Sequence, residues 1–232
     1  MTEVIKYYNA LIDKSFLDKN ELYALMGYGN HTPPAYISEM TDEMFADICT
    51  CCIPLCGYMI YEGRFLERGK VKVRDTIFNT GLIIASAMKK AESIAVFTAT
   101  LGCEFDNWLH QIKMEDDIVK EFVANSLGSI VAEGVVSNLM KTLEKEMLCK
   151  DLHISNNYSP GYCDWPLEEQ RKLFTLLPDG ISGIELTDSC LMIPVKSVSG
   201  IVAIGKDVKK KAYKCDICQM KNCVKNLKKR AT

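Results

Sequence analysis

No G-x-G-x-x-G follows a strand-like stretch anywhere in these 232 residues, so neither a Rossmann dinucleotide site nor a Rossmann-like methyltransferase is expected. No apolar run approaches the length that spans a bilayer, and no membrane partner is expected. Met1-Thr2-Glu3 leads into polar and charged residues with no apolar h-region, so no secretory leader is expected. The eleven cysteines therefore read as reduced thiols of a cytoplasmic protein rather than as a disulfide framework. Histidine is scarce, three in all, and neither His110 nor His153 has a partner by spacing. No internal repeat is visible. What is present is an ordinary globular balance, 48% hydrophobic and 25% charged with a net charge of −2, in a chain long enough for one domain with a sizeable core.

Residues 1–62 read as a helical segment. Glu3 to Leu17 and Asp18 to Met26 carry apolar residues at helical spacing, and Ile37 to Cys52 reads as a third helix. Cys49, Cys51, Cys52 and Cys56 crowd there without the paired knuckles of a structural zinc site, so core packing is expected of them. From Val71 the pattern changes to a strand and turn at Arg74–Gly81, a helix from Leu82 to Ala91, and a short buried strand from Glu92 to Thr100. A helix opens at Asp106-Asn107-Trp108. The longest helical pattern runs from Asp116 to Leu148, with Gly128 and Gly134 on or beside its apolar stripe permitting close backbone contact or a bend. Glu168 to Leu177 reads as a short helix, and Gly183 to Val195 with Val198 to Ile204 as two antiparallel strands joined near Lys196-Ser197. This order fits an α+β fold, an antiparallel sheet with long helices, occupying residues 63–205. A basic tail follows at 206–232.

Between the long helix and the last strands lies Asn157-Tyr158-Ser159-Pro160-Gly161-Tyr162-Cys163-Asp164-Trp165-Pro166, which suits neither helix nor strand. Each proline fixes φ and removes a donor, while Gly161 permits a sharp turn or close approach. The aromatics offer flat faces with a polar end, suited to a ligand partly aromatic and partly charged. The plainer reading is a packed loop whose aromatics plug the core. This stretch, with Glu168-Glu169-Gln170 after it, resembles the loop of the S-adenosylmethionine-binding activation domain of cobalamin-dependent methionine synthase. A second block, Gly183 to Ser189 followed by Met192-Ile193-Pro194 and Lys196-Ser197-Val198-Ser199-Gly200, keeps the family's order. A looser match covers Phe78-Asn79-Thr80-Gly81 through Gly102, as in free-standing members.

The resemblance implies an accessory or activation subunit that positions S-adenosylmethionine for reductive methylation of cobalamin supplied by a partner. That partner would be a corrinoid protein or a methionine synthase lacking its own activation domain, with flavodoxin or ferredoxin as electron donor. It implies cofactor contacts from Asn157, Tyr158, Ser159, Pro160, Gly161 and Tyr162, with Asp188 or Glu133 facing the ammonium group; on helical pattern alone Glu133 reads as a solvated charge. No residue is assigned acid or base work. One departure stands out: Asn157 occupies the position of the family's arginine. A neutral amide cannot replace a guanidinium fork on a carboxylate, which leaves another cation such as Arg171 or Lys196, or weak binding.

From Lys206 to Thr232 there are ten basic and two acidic residues, net +8, leaving the remainder at −10. Cys215, Cys218 and Cys223 sit here in a C-x2-C-x4-C arrangement that suits zinc or part of an iron–sulfur cluster with a fourth ligand from elsewhere, or a redox pair; the plainer reading is a solvated tail with incidental cysteines. Such a tail suits docking of an acidic partner, whereas nucleic acid is not expected, since beyond Tyr213 it has no aromatics to stack on bases. A second function class follows, a docking or electron-relay partner of a corrinoid protein that uses these cysteines in place of cofactor chemistry.

Overall fold

The computed structural model describes residues 6–9, 11–29 and 31–210, and the tail cysteines Cys215, Cys218 and Cys223 lie outside them. The fold is α+β. In chain order, β1 (Lys6–Asn9), α1 (Lys19–Leu25) and α2 (Ala35–Cys51) precede the long strand β2 (Leu55–Leu66). Strands β3 (Lys70–Val73) and β4 (Thr76–Asn79), helix α3 (Gly81–Ala87), β5 (Ser93–Thr100), α4 (Cys103–Met114) and α5 (Ile118–Leu148) follow. The last third holds β6 (His153–Ile154), α6 (Gln170–Phe174), β7 (Glu185–Leu186), β8 (Met192–Ile193) and β9 (Ser197–Gly205). Seven strands form one antiparallel sheet in the order β4-β3-β2-β5-β9-β6, with β1 also on β2.

The sheet is covered on both faces, which explains why all eight residues of β5 are buried and why its sequence reads as a continuous apolar run. On one face Ala95, Phe97, Ala99 and Val202 pack against α1, α2, α4 and α5; on the other Ile94, Val96, Ile201 and Ala203 pack against α3, Trp165 and Leu173. Helix α5 starts at Asp117, whose carboxylate accepts from the N–H groups of Val119 (2.9 Å) and Lys120 (3.0 Å), a cap that satisfies otherwise orphaned donors. The close contact expected at the helix glycines is present: a Cβ at Gly128 would lie 2.2 Å from Phe105 Cζ, and one at Gly134 would lie 2.6 Å from the Phe16 carbonyl oxygen. By length and composition α5 is apolar enough to cross a membrane, but 61% of that stretch is buried inside the fold, as a core helix is.

Three expectations differ from the structure. The helix expected over Glu3–Leu17 is, from Lys6 to Asn9, strand β1, whose alternating burial follows its pairing with Leu55–Tyr58. Glu146 on α5 fixes that register. It accepts from Tyr8 Oη (2.5 Å), Tyr58 Oη (2.8 Å) and the Lys6 ammonium. Burial opposes ionisation of Glu146, yet these bonds together hold its carboxyl below the usual range. Second, β2 begins at Leu55, inside the segment read as helical, with Cys56 buried in its inward row and Cys52 just before it; burial lifts the Cys56 thiol to about 11, so it packs as an inert apolar group. Third, the two last strands do not pair with each other. Strands β7 and β8 form their own hairpin, closed by Cys190 N–H to the Thr187 carbonyl (3.0 Å), while β9 pairs with β5 and β6. The packed chain runs on to Val208, which is 2% exposed in the second core.

Candidate functional site

The loop at 157–166 is mounted on β9. Tyr158 exchanges both backbone hydrogen bonds with Ile201 (3.0 and 2.8 Å), and Ser155 N–H reaches the Ala203 carbonyl (2.9 Å). Gly200 makes this approach feasible, because a Cβ there would lie 2.3 Å from the Tyr158 carbonyl oxygen and 2.8 Å from the Phe97 ring. The glycine that ends Ser197-Val198-Ser199-Gly200 thus serves the loop in the other sequence block.

Beyond Tyr158 the chain folds on itself. Tyr162 N–H donates to the Ser159 carbonyl (3.3 Å), Gly161 N–H to Trp165 (2.8 Å) and Trp165 N–H to Tyr162 (2.9 Å). Gly161 (φ 90°), Cys163 (φ 51°) and Asp164 (φ 66°) all lie in the left-handed region, which is sparsely populated for the latter two and marks a backbone held by its surroundings. Those surroundings are visible. Trp165, 1% exposed, meets Phe78 edge to face at 5.7 Å, and the Cys163 carbonyl and Asp164 crowd Gly81.

A buried carboxylate that sequence reasoning gave no role holds the assembly together. Glu169 Oε2 accepts from Trp165 Nε1 (3.0 Å) and Asn79 N (2.7 Å), and its Oε1 from Asn79 Nδ2 (2.9 Å) and Lys172 Nζ (2.7 Å). Burial opposes its ionisation, but the bonds from Lys172, Asn79 and Trp165 outweigh it and hold the carboxyl below the usual range. The signal was its place in Glu168-Glu169-Gln170, four residues after the buried tryptophan.

The implied contact residues are not equally exposed. Tyr158 is 7% exposed and its ring belongs to the second core, where burial raises its pKa; Pro160 is also buried. Asn157, Ser159 and Gly161 are half-buried, and Tyr162, 53% exposed, is the loop tyrosine that faces outward. Gly161 has only Leu167 Cδ1, at 3.6 Å, near the place of a Cβ. Glu133 lies on the exposed side of α5. Asp188 is exposed in the β7–β8 turn, where its carbonyl accepts from the Arg171 guanidinium. Lys196, just before β9, donates to Asn125 Oδ1 (2.8 Å) and Ser129 Oγ (2.9 Å) on α5. A cleft of about 280 Å³ opens elsewhere, among Glu144, His153, Lys206 and Lys210, and takes in none of the loop.

This arrangement can present one aromatic face and the backbone groups of a tight turn beside β9. Residues 69–231 match the family described as vitamin B12 dependent methionine synthase, activation domain. Thirteen chains of solved structures match as well. One, described as the crystal structure of the MetH reactivation domain bound to AdoHcy, is similar at 15% identity with a TM-score of 0.69, over 90% of this chain and 80% of that one; at such identity the likeness speaks for the fold. No curated protein matches. With more than half of its length matched, the chain belongs to the family of the vitamin B12-dependent methionine synthase activation domain.

Proposed function

We propose that this protein reactivates a cobalamin-dependent methyltransferase, in first place methionine synthase, by holding S-adenosylmethionine against a corrinoid carried by a partner. Family membership supports a role in cobalamin methionine synthase reactivation. The observation that carries the cofactor reading is the turn Ser159–Tyr162, pinned to β9 through Tyr158 and Gly200 and braced from below by Glu169. The residues present fit such a ligand: the outward Tyr162 ring suits the adenine, and Gly161, with no side chain and only Leu167 at contact distance, suits close backbone approach. When bound, the cofactor supplies a sulfonium methyl group. The chain's own part is to bind, orient and exclude water, which is catalysis by positioning. Asp188 and Glu133 are the proposed partners of the ammonium group. The working partner is a corrinoid protein or a methionine synthase without its own activation domain, with flavodoxin or ferredoxin as electron donor, in the cytoplasm. Isothermal calorimetry with S-adenosylmethionine tests this directly; the expected result is a saturable one-site isotherm, and a flat trace at millimolar ligand removes the cofactor from the proposal.

One observation favours a second reading. Asn157 removes the family's fork for the carboxylate, and a chain without cofactor binding would act as a docking or electron-relay partner through Cys215, Cys218 and Cys223, holding zinc or iron–sulfur. Reactivation of a corrinoid partner that proceeds without S-adenosylmethionine would select it.

A further inference from the structure

Asn157 leaves the amino-acid end of the proposed ligand without its usual cation, and the nearby cations are not equivalent. Arg171 donates to the Asp188 carbonyl, in a turn of its own. Lys172 is engaged by the Glu169 carboxylate at 2.7 Å. Lys196 differs. Its ammonium has two neutral partners, the Asn125 amide oxygen (2.8 Å) and the Ser129 hydroxyl (2.9 Å), and no carboxylate forms an ion pair with it among the described residues. Burial pushes its pKa down, and the nearby Asp106 only partly opposes this. A half-desolvated cation with neutral partners gains most from an incoming anion.

Its position is fixed from both sides. The Lys196 carbonyl accepts from Leu101 N–H (3.0 Å) at the end of β5, and Val195 N–H donates to Asp106 Oδ2 (3.0 Å) on α4. Little ordering is then needed on binding. Lys196 also stands immediately before β9, the strand that carries the loop, with its ammonium on the α5 side. Tyr158 pairs antiparallel with Ile201, so the chain leaving Tyr158 toward Gly161 heads along β9 toward its Lys196 end. Lys196 is five positions before Ile201, about 17 Å at ~3.3–3.4 Å per residue.

We propose that Lys196 Nζ receives the carboxylate of the ligand's α-amino-acid end, taking the place of the arginine that Asn157 replaces; this rests on the reading that the loop binds S-adenosylmethionine. Asn125 and Ser129 hold the ammonium in place before the ligand arrives. The site therefore selects for an α-carboxylate through a residue of the Lys-Ser-Val-Ser-Gly block rather than through the loop.

The test compares S-adenosylmethionine with its decarboxylated analogue, which keeps the adenosine, sulfonium and amine, by calorimetry on wild type, Lys196→Met and Lys196→Arg. Wild type should favour the carboxylate form by roughly 10- to 100-fold, the value of a charge-assisted hydrogen bond. Lys196→Met should lose that preference while binding the analogue as wild type does, and Lys196→Arg should keep most of it. Equal affinity of wild type and Lys196→Met for S-adenosylmethionine overturns the assignment, as does a Lys196→Met variant that weakens both ligands alike, which marks a structural role. Wild type that binds neither compound overturns the cofactor reading itself and this assignment with it.

Discussion

Asn79 donates both its backbone N–H (2.7 Å) and its side-chain amide (2.9 Å) to the carboxylate of Glu169, ninety residues away in sequence. The same carboxylate takes the Trp165 indole, so one buried group joins the β4–α3 turn, the 157–166 loop and the start of α6. Glu169→Ala should leave the Trp165 indole unsatisfied in the second core, at about 1–3 kcal/mol for a buried donor, and should release Asn79 at the exposed end of β4. Urea unfolding at neutral pH checks this, and a loss under 1 kcal/mol would mean the loop is held by other contacts.

The same group makes stability pH-dependent. The folded pKa of Glu169 lies below its ordinary value of 4.5, so its contribution is present above that value and is lost as pH falls through the folded one. Glu146, also held low by its bonds to Lys6, Tyr8 and Tyr58, acts in the same sense. Wild type should therefore lose stability steeply below about pH 4.5, and Glu169→Gln, although weaker at neutral pH, should show a shallower slope. Parallel slopes for the two proteins would remove Glu169 as a source of the acid sensitivity.

Gly200 and Gly161 separate support from contact. Gly200→Ala drives a Cβ into the Tyr158 carbonyl at 2.3 Å, so the loop must move off β9; melting temperature and S-adenosylmethionine affinity should both fall. Gly161→Val meets only Leu167 Cδ1, at ordinary contact distance, but forces a branched residue to φ near 90°, a strain of about 1–2 kcal/mol or more. Folding should survive that change and ligand binding should not. Intact binding by Gly161→Val would take this turn out of the site.

Where period and burial agree, the sequence was readable. The α5 stripe, the continuous apolar run of β5 and the punctuation of the loop by Pro160, Gly161 and Pro166 each have a local cause. What escaped depends on distant partners. Lys6–Asn9 has helical spacing yet is a strand because Glu146, 140 residues away from Lys6, gathers the Lys6 and Tyr8 side chains beside β2. Strand β2 was hidden by a cysteine-rich segment whose thiols turn out to pack as small apolar groups. At the site, the loop was visible as a motif, but the inward turn of Tyr158 and the bracing role of Glu169 arise only from tertiary contact.

Restoring the family residue gives a direct measure of what Asn157 has changed. Asn157→Arg should tighten S-adenosylmethionine binding by about 1.5–3 kcal/mol, the range for a hydrogen bond to a charged group. The gain should be larger in a Lys196→Met background, where no other cation serves the carboxylate, and smaller in wild type. Calorimetry on the four proteins gives the coupling between the two positions, and strict additivity would show that they do not share a ligand group.

The last prediction concerns 211–232. Val208 is buried in the second core and Lys206 N–H reaches Glu92 Oε1 (2.7 Å), so a truncation that respects packing begins after Lys210. Deleting 211–232 removes six net positive charges and Cys215, Cys218 and Cys223, and keeps every described residue of both cores. The truncated protein should keep its melting temperature and its affinity for S-adenosylmethionine. Reactivation of a corrinoid partner should fall, because the basic segment steers docking onto an acidic surface, and the residual rate should lose its salt dependence. Three thiolates need a fourth ligand for a closed zinc shell, so anaerobically purified protein should carry labile or substoichiometric zinc or iron that Cys218→Ser abolishes without unfolding the domain. Elemental analysis and absorbance spectra read the metal, and a reconstituted methyl-transfer assay reads the docking. Full reactivation by the truncated protein, together with metal-free wild type, would leave the segment as a solvated extension; lost reactivation with cofactor binding retained makes it the element that meets the partner.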